Sequence, residues 1–293
     1  MNYILCNIGN IPEHLKISIN CILSIDSNAK VYLISDKNIK NPLITSLNFN
    51  DFEDLQDLKK EFFQYYKDSG FSSEKYPVFY TSLLRVFMLQ KVSVEQNLKS
   101  FVHFDNDVSI YMPYEKIKDQ FSNSQINITQ VSSKDLVFGY SFFPNQDLIS
   151  QLTKKLKRLI SEEFYSNHYY RGGPLNEMRS LGIINKLEEG FFNILPSLPY
   201  LSKNDILFDP SSFGQYLNGM HHRRGNYIFR RRQVNPNEII GSEITSKRLK
   251  PVFKDNKPKV IENKKSFEIA NLHIHSKNLN RFLPANYKEH VNF

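Results

Sequence analysis

The chain has 293 residues, 40% hydrophobic and 23% charged, an ordinary balance for a soluble globular protein that can bury a sizeable core. Its formal net charge of +8 favours anionic partners such as nucleotides, phospholipid surfaces or nucleic acid. Cys6 and Cys21 are its only cysteines and no Cys-X-X-Cys occurs, which argues against structural zinc and for a reducing compartment. Met1 to Leu5 is too short for a signal-peptide core, and no apolar run approaches the length of a spanning helix, so a cytoplasmic protein is expected.

In chain order, Tyr3 to Cys6 reads as a first strand, followed by a turn at Asn7 to Asn10. Leu15, Ile19, Ile22 and Leu23 then mark one face of a helix. Ala29 to Ile34 is a second strand that ends at Ser35-Asp36. Strand, helix and strand within some forty residues form a βαβ unit and imply a parallel sheet. Asp36, at the end of the second strand, suits contact with a ribose or base, or a simple turn cap. Leu43 to Leu47 reads as a short strand and Asp51 to Tyr66 as a charged surface helix. Pro77 to Leu89 is apolar nearly all round and predicts a buried helix. Arg85 lies within it, and a buried guanidinium needs a carboxylate or phosphate partner: a nearby acid, Asp105, or a nucleotide.

Phe101 to Phe104 is an apolar run that leads into Asp105-Asn106-Asp107, with Val108 to Ile110 following. On a strand the two carboxylates point the same way, and they repel each other unless a cation or donors share them. Mg²⁺ and Mn²⁺ take oxygen ligands and often bridge a carboxylate to a phosphate. The segment therefore reads as a metal–phosphate site at the carboxyl end of a central strand, against the plainer reading of a polar turn. Asp107 is expected to be exposed there.

Farther on, Ser122 to Ser133 reads as a polar loop, Leu136 to Phe143 as a strand, and Leu148 to Ile160 as an amphipathic helix. Gly172-Gly173-Pro174 suits a helix start, with Asn176 and Glu177 in an exposed first turn. Glu177 is then either a dipole-stabilising acid or an acid/base group facing an acceptor. Asp205 to Gly219 reads as a strand, a turn and a small-residue segment that carries Asp209. His221 to Arg224 and Arg230 to Arg232 form the densest basic cluster, without any nucleic-acid module signature. Ser246 to Lys265 is Lys-rich and reads as a mobile excursion. Ile269 to Lys277 alternates as a strand, placing His273 and His275 on one face with Lys277 beyond them, where a lysine can meet a phosphate.

Neither Gly-X-X-X-X-Gly-Lys-Ser/Thr nor Gly-X-Gly-X-X-Gly is present. The order of the remaining motifs resembles the DXD-containing, metal-dependent glycosyltransferases of the GT-A fold, of the capsular, cell-surface and viral-glycan kind. The carrying segments are Tyr32 to Asp36, Leu83 to Arg85, His103 to Val108, Asp209 to Gly219 and Leu272 to Lys277. The resemblance implies an α/β fold with a Rossmann-type, mostly parallel sheet flanked by helices, in a single domain. Residues 1–111 would form the nucleotide-sugar half, and 112–293 the acceptor half with a C-terminal closing segment.

It also implies a UDP- or GDP-linked sugar donor, a glycan, glycolipid or glycoprotein acceptor, and Mn²⁺ or Mg²⁺ on the diphosphate. Asp105 and Asp107 would bind the metal, and Asp105 the ribose as well. A C-terminal histidine would complete the coordination, His275 being named first as nearer Lys277 and His273 second. Lys277 would meet phosphate, Asp36, Arg85 and Asn106 would contact or brace the donor, and Glu177 or its rival Asp209 would serve as base. The segment lacks the glycine and Trp of the glycogenin-type His…Gly…Lys-Pro-Trp ending.

Two other classes compete. A sugar nucleotidyltransferase would carry a Gly-rich, basic N-terminal loop, which Asn7-Ile8-Gly9-Asn10 matches poorly. A basic protein binding nucleic acid or an anionic surface would leave Asp105-Asn106-Asp107 and the two histidines without a purpose. No nucleic-acid partner is therefore expected, while the charge also fits a peripheral contact with an anionic membrane.

Overall fold

The computed structural model describes residues 1–68, 77–161, 175–218 and 249–293. The segment from Tyr169 to Pro174, the basic cluster from His221 to Arg232 and residues 246–248 lie outside the described residues.

The first unit is the expected βαβ: β1 (Asn2–Asn7), α1 (Glu13–Ile25) and β2 (Lys30–Ser35), with β1 and β2 parallel in register. It is followed by β3 (Ile44–Asn48) and the helices α2 (Glu53–Asp68) and α3 (Val78–Glu95). The run from Phe101 yields β4 (Phe101–His103), then β5 (Val108–Ile110) beyond the two aspartates, and the single turn α4 (Tyr114–Ile117). Next come β6 (Ile126–Ser132), β7 (Asp135–Phe143), α5 (Gln146–Ser161), α6 (Glu177–Leu187) and β8 (Phe192–Ile194).

The main sheet runs β3-β2-β1-β4-β7-β6-β8. The chain is thus a mixed α/β protein whose central sheet is mostly parallel, with antiparallel pairing only where β7 meets β4 and β6. Side chains alternate across it, as the two-residue period requires. Tyr3 and Leu5 join a core with Leu15, Ile19 and Ile22 of α1, while Ile4 and Cys6 join a core with Phe87 and Leu89 of α3 and Leu152 of α5. Because β4 pairs with β1 on one side and β7 on the other, residues from both halves of the sequence share one sheet.

Three expectations are corrected. Ser122 to Ser133 contains strand β6, whose polar side chains are satisfied internally: buried Asn127 donates to the carbonyls of Ser122, Gln125 and Phe142, and buried Thr129 to that of Val137. The Lys-rich stretch from Ser246 to Lys265 is an ordered meander over its described part. It forms β10 (Pro251–Lys254), β11 (Lys257–Glu262) and the start of β12 (Lys265–Ile269), preceded in chain order by β9 (Ile206–Leu207) and α7 (Ser212–Asn218). Asp255, Asn256, Asn263 and Lys264 all take positive φ, the backbone a two-residue hairpin turn demands. The alternating strand expected over Ile269 to Lys277 is broken into the end of β12 and the short β13 (Asn271–His273).

Among the described residues no helix is long and apolar enough to cross a membrane. Cys6 and Cys21 are both free and buried, and burial pushes each thiol up to about 12. A thiolate-directed reagent such as Ellman's should therefore leave the native protein unlabelled and titrate both thiols after denaturation. Rapid native labelling of either would contradict the packing around β1 and α1.

Candidate active site

Strand β4 delivers Asp105 to the carboxyl end of the sheet beside the end of β1. The Asp105 amide donates to the Phe138 carbonyl at 2.8 Å, the Val108 amide to the Asp105 carbonyl at 3.1 Å, and the Asn106 side chain to the Cys6 carbonyl at 2.9 Å. These bonds fold Asp105-Asn106-Asp107 into a tight turn pinned to β1 and β7. Strand β13 pairs antiparallel with β5, His273 opposite Val108, and the Ile274 amide donates to the Asp107 carbonyl at 2.9 Å. A residue 166 positions later in sequence is thus brought against the turn by backbone pairing alone.

Asp107 is 3% exposed, not exposed as its place at a strand end suggested, and His273 is equally buried. His273 Nε2 lies 3.2 Å from Asp107 Oδ1 and 3.4 Å from Asp105 Oδ2. The other ring nitrogen, Nδ1, is 2.9 Å from the Pro210 carbonyl, which can only accept, so Nδ1 carries a proton and Nε2 is left to face the two acids. One ligand atom each from Asp105, Asp107 and His273 lie within 4.8 Å of one another. Two carboxylates and an imidazole at this spacing, with the imidazole held through its far nitrogen, fit a divalent cation such as Mn²⁺ or Mg²⁺.

Of the two histidines, His273, the one expected second, stands with the two acids. His273 belongs to the group, while His275 stacks beside it, ring centroids 4.6 Å apart, and is not part of it. Burial pushes His275 down to about 4, with the neighbouring His273 adding to the effect. Burial works against a charged His273, but Asp107 and then Asp105 raise it to about 9. Asp107 is held well below the usual carboxylate range, since His273 and Lys277 outweigh its burial. Lys277, in the left-handed region at φ 64°, closes a turn onto the Ile274 carbonyl and places its ammonium on Asp107 Oδ2.

Arg85 takes the carboxylate reading of its buried charge twice over. Its Nη1 donates to Asp105 Oδ1, its Nη2 to Glu177 Oε2, and its guanidinium carbon sits 5.3 Å from the Phe138 ring centre. Glu177 is the first residue of α6, behind the Asn176 cap whose side chain accepts from the Arg179 amide at 2.9 Å. It is 2% exposed rather than in an exposed turn. Burial pushes Glu177 up to about 7 against the pull of Arg85, and its Oε1 has no partner among the described residues. Asp105 shares the same guanidinium but moves the other way: there Arg85, and after it His273, outweigh burial.

These groups line one cleft of about 410 Å³, the size of a small-molecule site. Asp105, Asn106, Asp107, Arg85, Glu177, His273, His275 and Lys277 all border it. Asp36 does not: its Oδ1 accepts from the Gly9 amide at 2.9 Å and so shapes the loop after β1, whose Asn7 and Ile8 do border the cleft. Asp209 does not border it either. Sequence reasoning missed Asn7, Thr81 and Ser82 in the lining. Thr81 and Ser82 stand four and three residues before Arg85, a helical spacing that could have flagged them.

No family model matches the sequence, and neither does any curated protein sequence. Solved structures to which the chain is similar include the apo form of mouse xyloside xylosyltransferase 1, at 11% identity, covering 67% of this chain and 86% of that one, with a TM-score of 0.45. Another is the galactosyltransferase LgtC in complex with donor and acceptor sugar analogues, at 11% identity over 79% of this chain and 82% of that one, TM-score 0.42. A third is the Streptococcus pneumoniae glycosyltransferase GlyE, at 11% identity over 66% and 44%, TM-score 0.38.

Proposed function

We propose that this chain is a glycosyltransferase that moves a sugar from a nucleoside-diphosphate donor, UDP- or GDP-linked, to a hydroxyl of a glycan, glycolipid or glycoprotein. The observation that carries the reading is the convergence of Asp105, Asp107 and His273 Nε2 in one cleft that Lys277 also lines.

A divalent cation, when bound, would supply positive charge against the diphosphate as the glycosidic bond to it breaks. Asp105, Asp107 and His273 would hold it. Lys277, on a long stem and 40% exposed, is free to turn from Asp107 to a phosphate oxygen and take up charge on the departing group. Arg85 keeps the Asp105 carboxylate from rotating away, since its planar fork fixes two acids at once. Glu177 is the base in this reading: with its ionisation near neutrality, the unpartnered Oε1 can take the proton of an attacking acceptor hydroxyl. Asp209 has both carboxylate oxygens committed to backbone N–H groups. Residues 1–111, joined by His273 and Lys277 from the C-terminal segment, would contribute the donor side of the cleft, and Val137, Asn176 and Glu177 the acceptor side.

The reading is tested by offering a panel of UDP- and GDP-sugars and scoring hydrolysis with and without Mn²⁺. Turnover of at least one donor that depends on the metal is expected. A fully inert panel, together with no binding of UDP or GDP in calorimetry, would refute it. The two histidines separate in the same assay. His273→Ala should weaken nucleoside-diphosphate binding much more with Mn²⁺ present than without it, whereas His275→Ala should give the same modest loss in both conditions. The opposite pattern would restore His275 as the ligand.

A further inference from the structure

A buried polar cluster lies directly behind His273, out of reach of the cleft. Asp209, fully buried, stands just ahead of α7. Its Oδ1 accepts from the Ser211 and Phe213 amides, both at 3.0 Å, and its Oδ2 from the Gly214 amide at 2.9 Å and the His273 amide at 3.0 Å. Asn271 ties the backbone of the same residue: its Oδ1 accepts from the Asp209 amide at 3.1 Å, and its Nδ2 donates to the carbonyls of Asp209 at 3.0 Å and Gly139 at 2.9 Å. The next residue, Pro210, supplies the carbonyl that receives the His273 ring proton. Gly214 presses on the third side, where a Cβ would fall 1.9 Å from the His273 carbonyl oxygen.

His273 is therefore gripped at its amide, its ring and its carbonyl by Asp209, Pro210 and Gly214. Capping a seven-residue helix does not account for this arrangement. A cap satisfies amides of its own first turn, and the fourth amide taken by Asp209 belongs to a strand 64 residues away. A carboxylate is costly to bury unless every such bond is made, so the cluster is built as a unit.

We infer that Asp209 is a positioning residue for the metal centre, fixing the place and ring orientation of His273 so that Nε2 faces Asp105 and Asp107. The inference rests on the metal reading above. Groups that hold a ligating histidine through its far side are typically worth about 10–100-fold in metal affinity. Here the hold is divided between one residue's carboxylate and the next residue's carbonyl. Asp209→Asn preserves the shape but leaves only one acceptor oxygen, so one pair of amides loses its partner. Gly214→Ala keeps the carboxylate and instead pushes the His273 carbonyl.

The test titrates the full chain with MnCl₂, following free Mn²⁺ by its electron paramagnetic resonance signal. Pulsed resonance then reads the ¹⁴N coupling of a bound imidazole, with His273→Gln as the reference for its loss. The wild type should bind with the coupling, and His273→Gln should lose it. Asp209→Asn should bind about 10–100-fold more weakly with the coupling reduced or gone, and Gly214→Ala should shift both readings the same way. Unchanged affinity and coupling in folded Asp209→Asn would overturn the inference while leaving the metal reading intact. Weaker binding with an unaltered coupling would also overturn it, because Asp209 would then act through its charge alone. Should Asp209→Asn fail to fold, Gly214→Ala decides: unchanged readings refute the inference. A wild type that binds no Mn²⁺, or binds it without a coupling that His273→Gln removes, would refute the metal reading itself.

Discussion

Asp107→Asn should abolish metal-dependent transfer, lowering kcat/KM by about 10³-fold or more, which corresponds to roughly 4 kcal/mol at 1.36 kcal/mol per tenfold. Asp107 is the acid shared by His273 and Lys277, so its charge serves both the cation site and the lysine that would move to phosphate. The asparagine keeps the volume of this buried side chain, so no cavity opens. What is lost is the negative charge that holds His273 Nε2 and the Lys277 ammonium in place. Lys277 can turn to solvent when released, so the fold should survive with a modest fall in melting temperature. Steady-state kinetics on the folded variant, with Mn²⁺ varied, checks the expectation. Wild-type turnover would remove Asp107 from the site.

Arg85→Met should act on stability first. Arg85 sits between Asp105 and Glu177, and its guanidinium is the cation facing both carboxylates from α3. Breaking a buried ion pair by deleting one partner typically costs about 3–5 kcal/mol, because the other charge stays buried. Here two acids are left, and a fall of the melting temperature by on the order of 10 °C is expected. Glu177, already raised to about 7 by burial, would rise further once the guanidinium is gone. Arg85→Lys should recover only part of the loss, since an ammonium cannot reach two carboxylates with a planar fork. Thermal unfolding of both variants decides the matter, and a melting point unchanged in Arg85→Met would show that the bridge carries no stabilisation.

Much of the frame was legible in the sequence because burial and periodicity act locally. The βαβ unit at the N-terminus and the apolar run that carries Asp105 to a strand end both follow from side-chain patterns a few residues long. Arg85 was legible as a charge that could not be buried alone, and Asp105 proved to be one of its partners. Strand β6 was not legible, because its inward positions include Asn127 and Thr129, which are polar yet satisfied by carbonyls contributed from elsewhere. The β10–β12 meander hid behind its lysines. They occupy the outward positions while Pro258, Val260 and Phe267 fill the inner face, and Asp255-Asn256 was a readable hairpin signal.

The choice between His273 and His275 depended on where β13 stops, which is set by pairing with β5 and not by the alternation of its own residues. Asp209 stood as a rival base in a strand-and-turn segment, and nothing in its neighbourhood reveals that four amides, one of them from His273, converge on it. Glu177 was read as exposed from its place in a first helical turn, and only the packing of α6 against β7 and α3 buries it.

The central claim is that Asp105, Asp107 and His273 hold a divalent cation beneath a nucleoside diphosphate. Anomalous diffraction from crystals grown with Mn²⁺ and UDP or GDP, collected at the manganese edge, tests it most directly. The account requires a single strong anomalous peak between Asp105, Asp107 and His273 Nε2, with diphosphate density beside it and His275 outside the coordination sphere. Diphosphate bound in the cleft with no manganese at these three residues, or manganese coordinated elsewhere, would contradict it.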